Sequence, residues 1–166
     1  MDSENLVVEP VPIGSDRARA ALERYSAELA ARFPRGFDAG QAAPPEPGDF
    51  DPPGGVFLLV REGSATAGCG GLRTLSESVG EIRRMWIAPA LRGRGAGRAL
   101  LAELERHARR IGLRAVRLDT ATELHEAQGL YRSAGYIEIP AYNDNAYAGH
   151  WFEKQLPSDE VEQRHG

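Results

Sequence analysis

A short segment rich in glycine and arginine, Arg92–Arg98, has the composition of an anion-binding loop. It lies between an apolar strand-like run at 85–88 and a helix-like run that begins at Ala99. Glycine at positions 93, 95 and 97 permits tight turns and lets a ligand approach the main chain. A helix that begins here directs unpaired N–H groups and the positive end of its dipole outward. With the fixed charge of the flanking arginines, the segment predicts a phosphate or pyrophosphate site.

The glycine spacing excludes two common phosphate-binding motifs. The dinucleotide pattern G-x-G-x-x-G needs glycine at position 98, where Arg98 stands, and the triphosphate loop G-x-x-x-x-G-K-[ST] is absent. The pattern [RQ]-x-x-G-x-[GA] does fit, as Arg92-x-x-Gly95-x-Gly97. By this pattern the chain resembles the GNAT superfamily of acyl-coenzyme A-dependent N-acetyltransferases, whose pyrophosphate loop carries it.

The resemblance implies acetyl-CoA as the acyl donor, held by main-chain groups in two places. In the loop, amides would hold the pyrophosphate, and the residues concerned are Arg92, Gly93, Arg94, Gly95, Ala96, Gly97 and Arg98. On the central strand, the open edge at Met85, Trp86 and Ile87 would pair with the pantetheine arm like a short extra strand. Core packing of the same side chains is compatible with this role, because the main chain does the binding.

Two residues have types suited to acyl transfer from a thioester to an amine, in which the ammonium loses a proton and the thiolate gains one. Glu81 precedes Arg92 at the offset where several GNAT branches place a glutamate base. A surface glutamate paired with an arginine, and a base formed by ordered water, stay open. Leu130-Tyr131 followed by Gly135-Tyr136 matches the family's "LY…GF" pattern, which implies Tyr131 as the acid at the coenzyme sulfur. Leu124 stands where the family often has a coenzyme-binding asparagine.

Arginines near the expected acceptor pocket predict a small primary amine that carries an anionic group. Arg83 on the central strand, and Arg35 or Arg32 beside the proline-rich loop, are suited to a carboxylate or phosphate. Tyr142, in the loop at 140–147, would line the opposite wall. An ordinary surface position is the competing interpretation for each of them.

Hydrophobic periodicity predicts the elements that position these residues. They are a strand at 6–11, a helix capped by Ser15 or Asp16 and ended by Pro34, a hairpin at 56–75 that buries Cys69, a central strand at 80–87, a helix from Gly95 to Gly112, a strand at 115–120, a helix at 123–133, and strands at 136–139 and 150–156. Alternation places Glu81, Arg83, Met85 and Ile87 on one face. The proline-rich segment 38–55 is expected to cover the acceptor pocket.

The order of elements matches the GNAT layout, an α+β fold. The expected sheet is mixed and mostly antiparallel, splayed at its two parallel middle strands, with helices on both faces. The two middle strands are parallel because a helix crosses between them. We expect residues 1–156 to form a single N-acetyltransferase domain and 157–166 a flexible tail.

Composition limits the classes of function. The chain has 166 residues, 42% hydrophobic and 27% charged, with a net charge of -4, which argues against nucleic acid as a partner. No apolar run approaches the roughly 20 residues of a membrane span, and no metal-ligand spacing occurs. A single cysteine and the lack of a signal-peptide pattern favour the cytoplasm.

The leading hypothesis from sequence is therefore direct transfer of an acetyl group from acetyl-CoA to a small-molecule amine. A non-catalytic acyl-CoA sensor with the same fold is the main alternative, and the presence of both Glu81 and Tyr131 disfavours it. A nucleotide-phosphate enzyme is disfavoured by the failed loop spacings. The acceptor, the acyl-chain length and homodimer formation stay open.

Overall fold

The computed structural model of the protein describes residues 6–37 and 48–157. Within these ranges the chain forms β1 (Leu6–Pro10), α1 (Asp16–Arg32), β2 (Gly55–Glu62), β3 (Ala65–Ser76), β4 (Val79–Ile87), α2 (Ala96–Arg110), β5 (Ala115–Thr120), α3 (His125–Ser133), β6 (Ile137–Ile139) and β7 (His150–Gln155). Each predicted helix and strand is present, with ends shifted by a residue or two. The expected cover of the acceptor pocket falls mainly on 38–47 and the expected tail mainly on 158–166, which lie outside the described residues.

All seven strands belong to one sheet, in the order β1-β2-β3-β4-β5-β7-β6. Every neighbouring pair is antiparallel except β4 and β5, which are parallel. These two strands pair only over Val79–Glu81 and Ala115–Arg117. Because β4 continues to Ile87 and β5 to Thr120, the strands diverge beyond this point. The prediction of a sheet splayed at its parallel middle strands is confirmed.

Helices cover both faces of the sheet, as predicted. On one face, Ala18 and Ala21 of α1 pack against Phe57 and Leu59 of β2. On the other face, α2 contributes leucines that pack against Val56, Leu58 and Val60 of the same strand, together with residues of α3. Consecutive residues of β2 thus alternate between two cores. None of the described helices has the length and apolar composition needed to cross a bilayer.

The predicted alternation along β4 is wrong beyond Arg83. Arg84 has a φ of +58°, in the left-handed region, and the register with β3 shifts at this point. Gly71 lies opposite Arg83 while Cys69 lies opposite Trp86, so β4 contains one residue more than its partner. This extra residue is a β-bulge, which changes the face to which the following side chains point.

The bulge divides the predicted set of side chains between the two faces. Glu81 and Arg83 point to the α1 face, and so does Trp86, which packs with α1. Met85 and Ile87 pack instead against the core under α2. Residues that the sequence placed together are therefore on opposite sides of the sheet.

A buried glutamate fixes α3 relative to α2. Glu105 of α2 accepts a hydrogen bond from the Tyr136 hydroxyl at 2.8 Å and from the Lys154 ammonium at 2.9 Å. Tyr136 directly follows the turn that ends α3, and Lys154 lies on β7. This contact holds the end of α3, and with it Tyr131, in a defined position over the sheet.

Cys69 lies in the core beneath α1, where solvent is excluded. It is fully buried, and burial raises the pKa of its thiol to about 12. We expect the native protein not to react with an aromatic disulfide reagent at neutral pH, because reaction requires the thiolate. The denatured protein should react with one equivalent. Rapid labelling of the native protein, followed by absorbance, would contradict this burial.

Candidate active site

A cavity of about 410 Å³ lies where β4 and β5 diverge. Its walls come from both layers of the structure. Tyr25 and Leu29 line it from α1, whereas Gly97, Leu130 and Tyr131 line it from α2 and α3. The cavity therefore connects the two faces of the sheet through the gap between the strands.

The glycine-rich loop presents main-chain donors to this cavity. Gly93 and Gly95 have φ values of +78° and +86°, a conformation that side chains other than glycine rarely adopt. Gly95 caps α2, and the first helical hydrogen bond runs from the Ala99 N–H to its carbonyl at 3.0 Å. The N–H groups of the three residues before Ala99, at positions 96–98, have no acceptor within the helix. The loop thus has the positive φ angles and main-chain donors on which the predicted anion site depends, and anion binding itself stays a prediction.

Most of the predicted cofactor residues are brought together here. Those that line the cavity are Met85, Trp86, Ile87, Arg92, Gly93, Gly95, Gly97 and Arg98. Two others do not line it. The Arg94 guanidinium pairs with Glu62 at 3.1 Å, and Ala96 is buried in the core. Any contribution of these two to an anion site is limited to their main-chain groups.

The side chains of the other two loop arginines are already engaged. Arg92 pairs with Glu28 of α1, and its Nε donates to the Ile87 carbonyl at 3.1 Å. Arg98 donates to the Ser133 hydroxyl at 2.6 Å, which ties α2 to the end of α3. These contacts hold the loop in place between three elements, so its main-chain donors are oriented before any ligand arrives.

Tyr131 lines the cavity with a hydroxyl that has only a weak acceptor. Its oxygen lies 4.0 Å from the thioether sulfur of Met85, and sulfur of this kind accepts hydrogen bonds poorly. Burial is the main cause that raises the pKa of Tyr131 well above its usual range. The phenol therefore keeps its proton and can donate a hydrogen bond to a ligand beside it.

The position of Glu81 argues against the role of direct base that the sequence suggests. Its side chain is 1% exposed and does not line the cavity. One carboxylate oxygen accepts from Arg73 at 2.8 Å, and the other accepts from the Tyr142 hydroxyl at 2.7 Å. Arg83 lies 3.5 Å from the same oxygen as Tyr142. This carboxylate is enclosed by its partners and positions them.

Asp119 is the carboxylate connected to this group that does line the cavity. It accepts hydrogen bonds from Arg83 at 2.9 Å, from the Asn143 amide at 2.7 Å and from the Asn145 amide at 3.0 Å. A carboxylate has about four lone-pair sites, and three are used here. The sequence did not single out Asp119, because alternation places Arg117 and Asp119 on one face of β5 without showing that β4 and β5 part after Arg117.

The three residues predicted to bind the acceptor do not have free side chains at the cavity. Arg83 lines it but is paired with Asp119 and lies beside Glu81. Tyr142 is bonded to Glu81 and does not line it. Arg35 is exposed and also lies outside the lining.

Comparisons with known proteins agree with this arrangement. The sequence matches the model of the Acetyltransferase (GNAT) family over residues 20–136. An IAA acetyltransferase of Azospirillum brasilense is 36% identical over 83 residues, which cover 49% of this chain and 54% of that protein. An aminoglycoside N(6')-acetyltransferase type 1 of Stenotrophomonas maltophilia is 31% identical over 96 residues, covering 53% and 63%. The matches therefore span between half and two thirds of the length of these curated relatives.

Solved structures share the fold at lower identity. A GNAT-family acetyltransferase of Staphylococcus aureus superimposes with a TM-score of 0.76 at 16% identity, covering 92% of this chain and 99% of that one. A GNAT-family acetyltransferase of Elizabethkingia anophelis, determined with acetyl-CoA bound, gives a TM-score of 0.63 at 13% identity and covers 93% and 100%. The family match over most of the chain, the splayed sheet and the glycine loop agree: the chain belongs to the Acetyltransferase (GNAT) family.

Proposed function

We propose that this protein is an N-acetyltransferase that moves an acetyl group from acetyl-CoA directly to the primary amine of a small molecule. The observation that carries the proposal is the cavity between β4 and β5, which is lined both by the glycine-rich loop and by side chains of α1. The names of the relatives and the acetyl-CoA-bound neighbour support it. We further propose that residues 1–156 act as a single domain.

The donor half of the cavity lies on the α2 side. The main-chain N–H groups at the start of α2 suit a pyrophosphate, because they combine unpaired donors with the positive end of the helix dipole. The edge of β4 beyond Glu81 has no strand partner in β5, so its amides and carbonyls are available to the amide groups of a pantetheine arm. Both features are built from main chain, and both border the same cavity.

The chemistry supplied by acyl-CoA is a thioester, whose C–S bond breaks as a C–N bond forms to the amine. Tyr131 is suited to donate its hydrogen bond to the departing sulfur. Because burial raises the pKa of this phenol, we assign it a stabilising hydrogen bond as its first role and delivery of the proton only as the negative charge on sulfur develops. Met85 packs beside the hydroxyl without competing strongly for it.

Asp119, and not Glu81, is the carboxylate we assign to the amine proton. An ammonium has no lone pair and must lose a proton before nitrogen attacks the acyl carbon. The unused lone-pair site of Asp119 can hold the ammonium N–H and accept this proton, either directly or through water. Arg83 then links Asp119 to Glu81, which makes Glu81 a positioning residue behind the site.

The first prediction concerns the loop. Gly95→Ala places a side chain at a φ of +86°, which costs about 1–2 kcal/mol and disturbs the main-chain donors. We expect coenzyme A to bind about 10-fold more weakly by calorimetry. Gly63→Ala is the matched control, because Gly63 also has a positive φ, of +58°, but lies in the β2–β3 turn. Absence of coenzyme A binding by the parent protein would refute the proposed function.

The second prediction concerns the phenol. Tyr131→Phe removes the hydroxyl but keeps the ring, so we expect kcat to fall about 10- to 100-fold with little change in coenzyme A affinity. Tyr136→Phe serves as the control, since it loses a buried hydrogen bond to Glu105 and should lower stability rather than kcat. Thiol release, followed with a chromogenic reagent, measures both. An unchanged kcat in Tyr131→Phe would remove this role.

The third prediction separates the two carboxylates. In Asp119→Asn we expect kcat/KM to fall about 100-fold near neutral pH, and the loss to shrink as pH rises, because the free amine fraction then increases. Glu81→Gln should instead lower the free energy of unfolding by about 1.5–3 kcal/mol, because it weakens the charge-assisted hydrogen bond from Arg73. Arg73 keeps its pair with Asp49 and Arg83 keeps its pair with Asp119, so no buried cation is left without a carboxylate. The pH–rate profile of Glu81→Gln should keep the shape of the parent's.

If Glu81→Gln instead lowers kcat/KM and alters the pH–rate profile while Asp119→Asn keeps the parent's rate, Glu81 is the base. A third outcome bears on the sensor alternative: coenzyme A binding without thiol release on any amine in a broad panel would favour a non-catalytic acyl-CoA-binding protein. Urea unfolding of each variant shows whether a rate loss reflects chemistry or a destabilised fold.

A further inference from the structure

One arginine that lines the cavity differs from the others, because it has no partner among the residues that the structure describes. Of the arginines that line the cavity, four are engaged: Arg32 with Glu126, Arg83 with Asp119, Arg92 with Glu28, and Arg98 with Ser133. The fifth is Arg84. Across residues 6–37 and 48–157, no group accepts a hydrogen bond from its guanidinium or pairs with it.

The β4 bulge sets the place of this side chain. Arg84 adopts a φ of +58°, which costs about 1–2 kcal/mol for a residue other than glycine. Its electrostatic neighbours, Tyr25, Arg83 and Cys69, include residues of the α1 side of the sheet. Partial burial is the main cause that lowers the pKa of Arg84, and Arg83 lowers it further. The guanidinium is thus desolvated next to a like charge, and an anion would relieve both effects.

Aromatic side chains line the cavity beside Arg84, since Tyr25 is one of the electrostatic neighbours of this arginine. Phe33 and Tyr147 stack with ring centroids 5.5 Å apart, and Phe37 lies 4.9 Å from Tyr147. Tyr25 contacts Phe37 edge to face at 6.0 Å. All four line the cavity, as does Leu29 of α1. These four side chains form an aromatic box, and the part of the cavity wall that they supply is suited to a flat apolar group.

We propose that the acceptor is an aromatic amino acid or a close analogue, whose carboxylate binds Arg84 and whose ring occupies the aromatic box. The proposal rests on the proposed function and names its substrate class. The amine then lies between Arg84 and Asp119, with the ammonium toward the carboxylate and the carboxylate toward the guanidinium. Asp119 and Glu28 also line the cavity and disfavour a dianion, so a carboxylate suits the site better than a phosphate.

The positive charge of Arg84 disfavours polycationic acceptors. An acceptor with a second ammonium in place of the carboxylate would bring this charge close to Arg84, and like charges in a partly desolvated site repel. A polyamine or an aminoglycoside is therefore expected to react poorly. Poor reaction of such amines would distinguish the proposed acceptor class from a general activity on any accessible amine.

Matched pairs of acceptors test the proposal through thiol release from acetyl-CoA. Phenylalanine, tyrosine and tryptophan are each compared with phenethylamine, tyramine and tryptamine, which lack only the carboxylate, and with alanine, which lacks the ring. In the parent we expect kcat/KM to favour each amino acid over its decarboxylated partner by at least about 10-fold. Arg84→Met should reduce that ratio to about one, and Arg84→Lys should restore part of it.

Arg106→Met is the control, because Arg106 is exposed on α2, where it pairs with Glu103. We expect it to keep the parent's ratio. Equal rates with phenylalanine and phenethylamine in the parent, or equal rates with phenylalanine and alanine, would overturn the proposal while the acetyltransferase activity stood. An Arg84→Met variant that keeps the parent's preference would overturn it as well.

A binding measurement keeps this test independent of turnover. Calorimetry compares 3-phenylpropionate with 3-phenylpropanol, in the presence of coenzyme A, on the parent and on Arg84→Met. Tighter binding of the carboxylate, by about 10-fold and in the parent only, supports the subsite even if no amine releases thiol. In that case it is the proposed function that fails. Equal binding of acid and alcohol by the parent would exclude the Arg84 site.

Discussion

The early end of pairing between β4 and β5 is the constraint on which the rest of this site depends. Main-chain N–H and C=O groups require partners, and beyond Glu81 and Arg117 these two strands no longer supply them to each other. The result is an open strand edge in the middle of a sheet, protected from other chains by the helices on both faces. Such an edge is a place where a ligand with amide groups can pair without inviting aggregation.

Charged side chains hold the two strands together near the point where the backbone bonds end. Arg83 of β4 reaches across to Asp119 of β5 and lies beside Glu81 on its own strand. A buried network of this kind is tolerated only if each charge has a partner, because desolvation of a single ion costs several kcal/mol. Arg73 completes the pairing of Glu81. Arg84 is not part of this network, and within the described part of the chain nothing pairs with it, although it lines the cavity.

Short-range patterns account for most of the fold. Ser15 caps α1 through a hydrogen bond from the Ala18 N–H, and Gly112 ends α2 with a φ of +90°, because such signals depend on a few neighbouring residues. The predicted alternation along β4 is wrong from Arg84 onward, because it depends on more than neighbouring residues in the chain. A bulge is defined by the register with the neighbouring strand, which the residues of β4 alone do not reveal. One inserted residue was enough to exchange the faces expected for the second half of the strand.

By itself, the sequence determined the secondary structure, the family resemblance and the anion loop, since main-chain donors at the start of α2 follow directly from the glycine spacing at Gly93 and Gly95. Only the tertiary structure decided which side chains reach the cavity. Ion pairs form between residues far apart in the chain, so packing placed Asp119 rather than Glu81 at the cavity and left Arg84, among the cavity arginines, without a partner in the described residues. The physical reason is burial: whether a charge serves structure or ligand depends on what surrounds it.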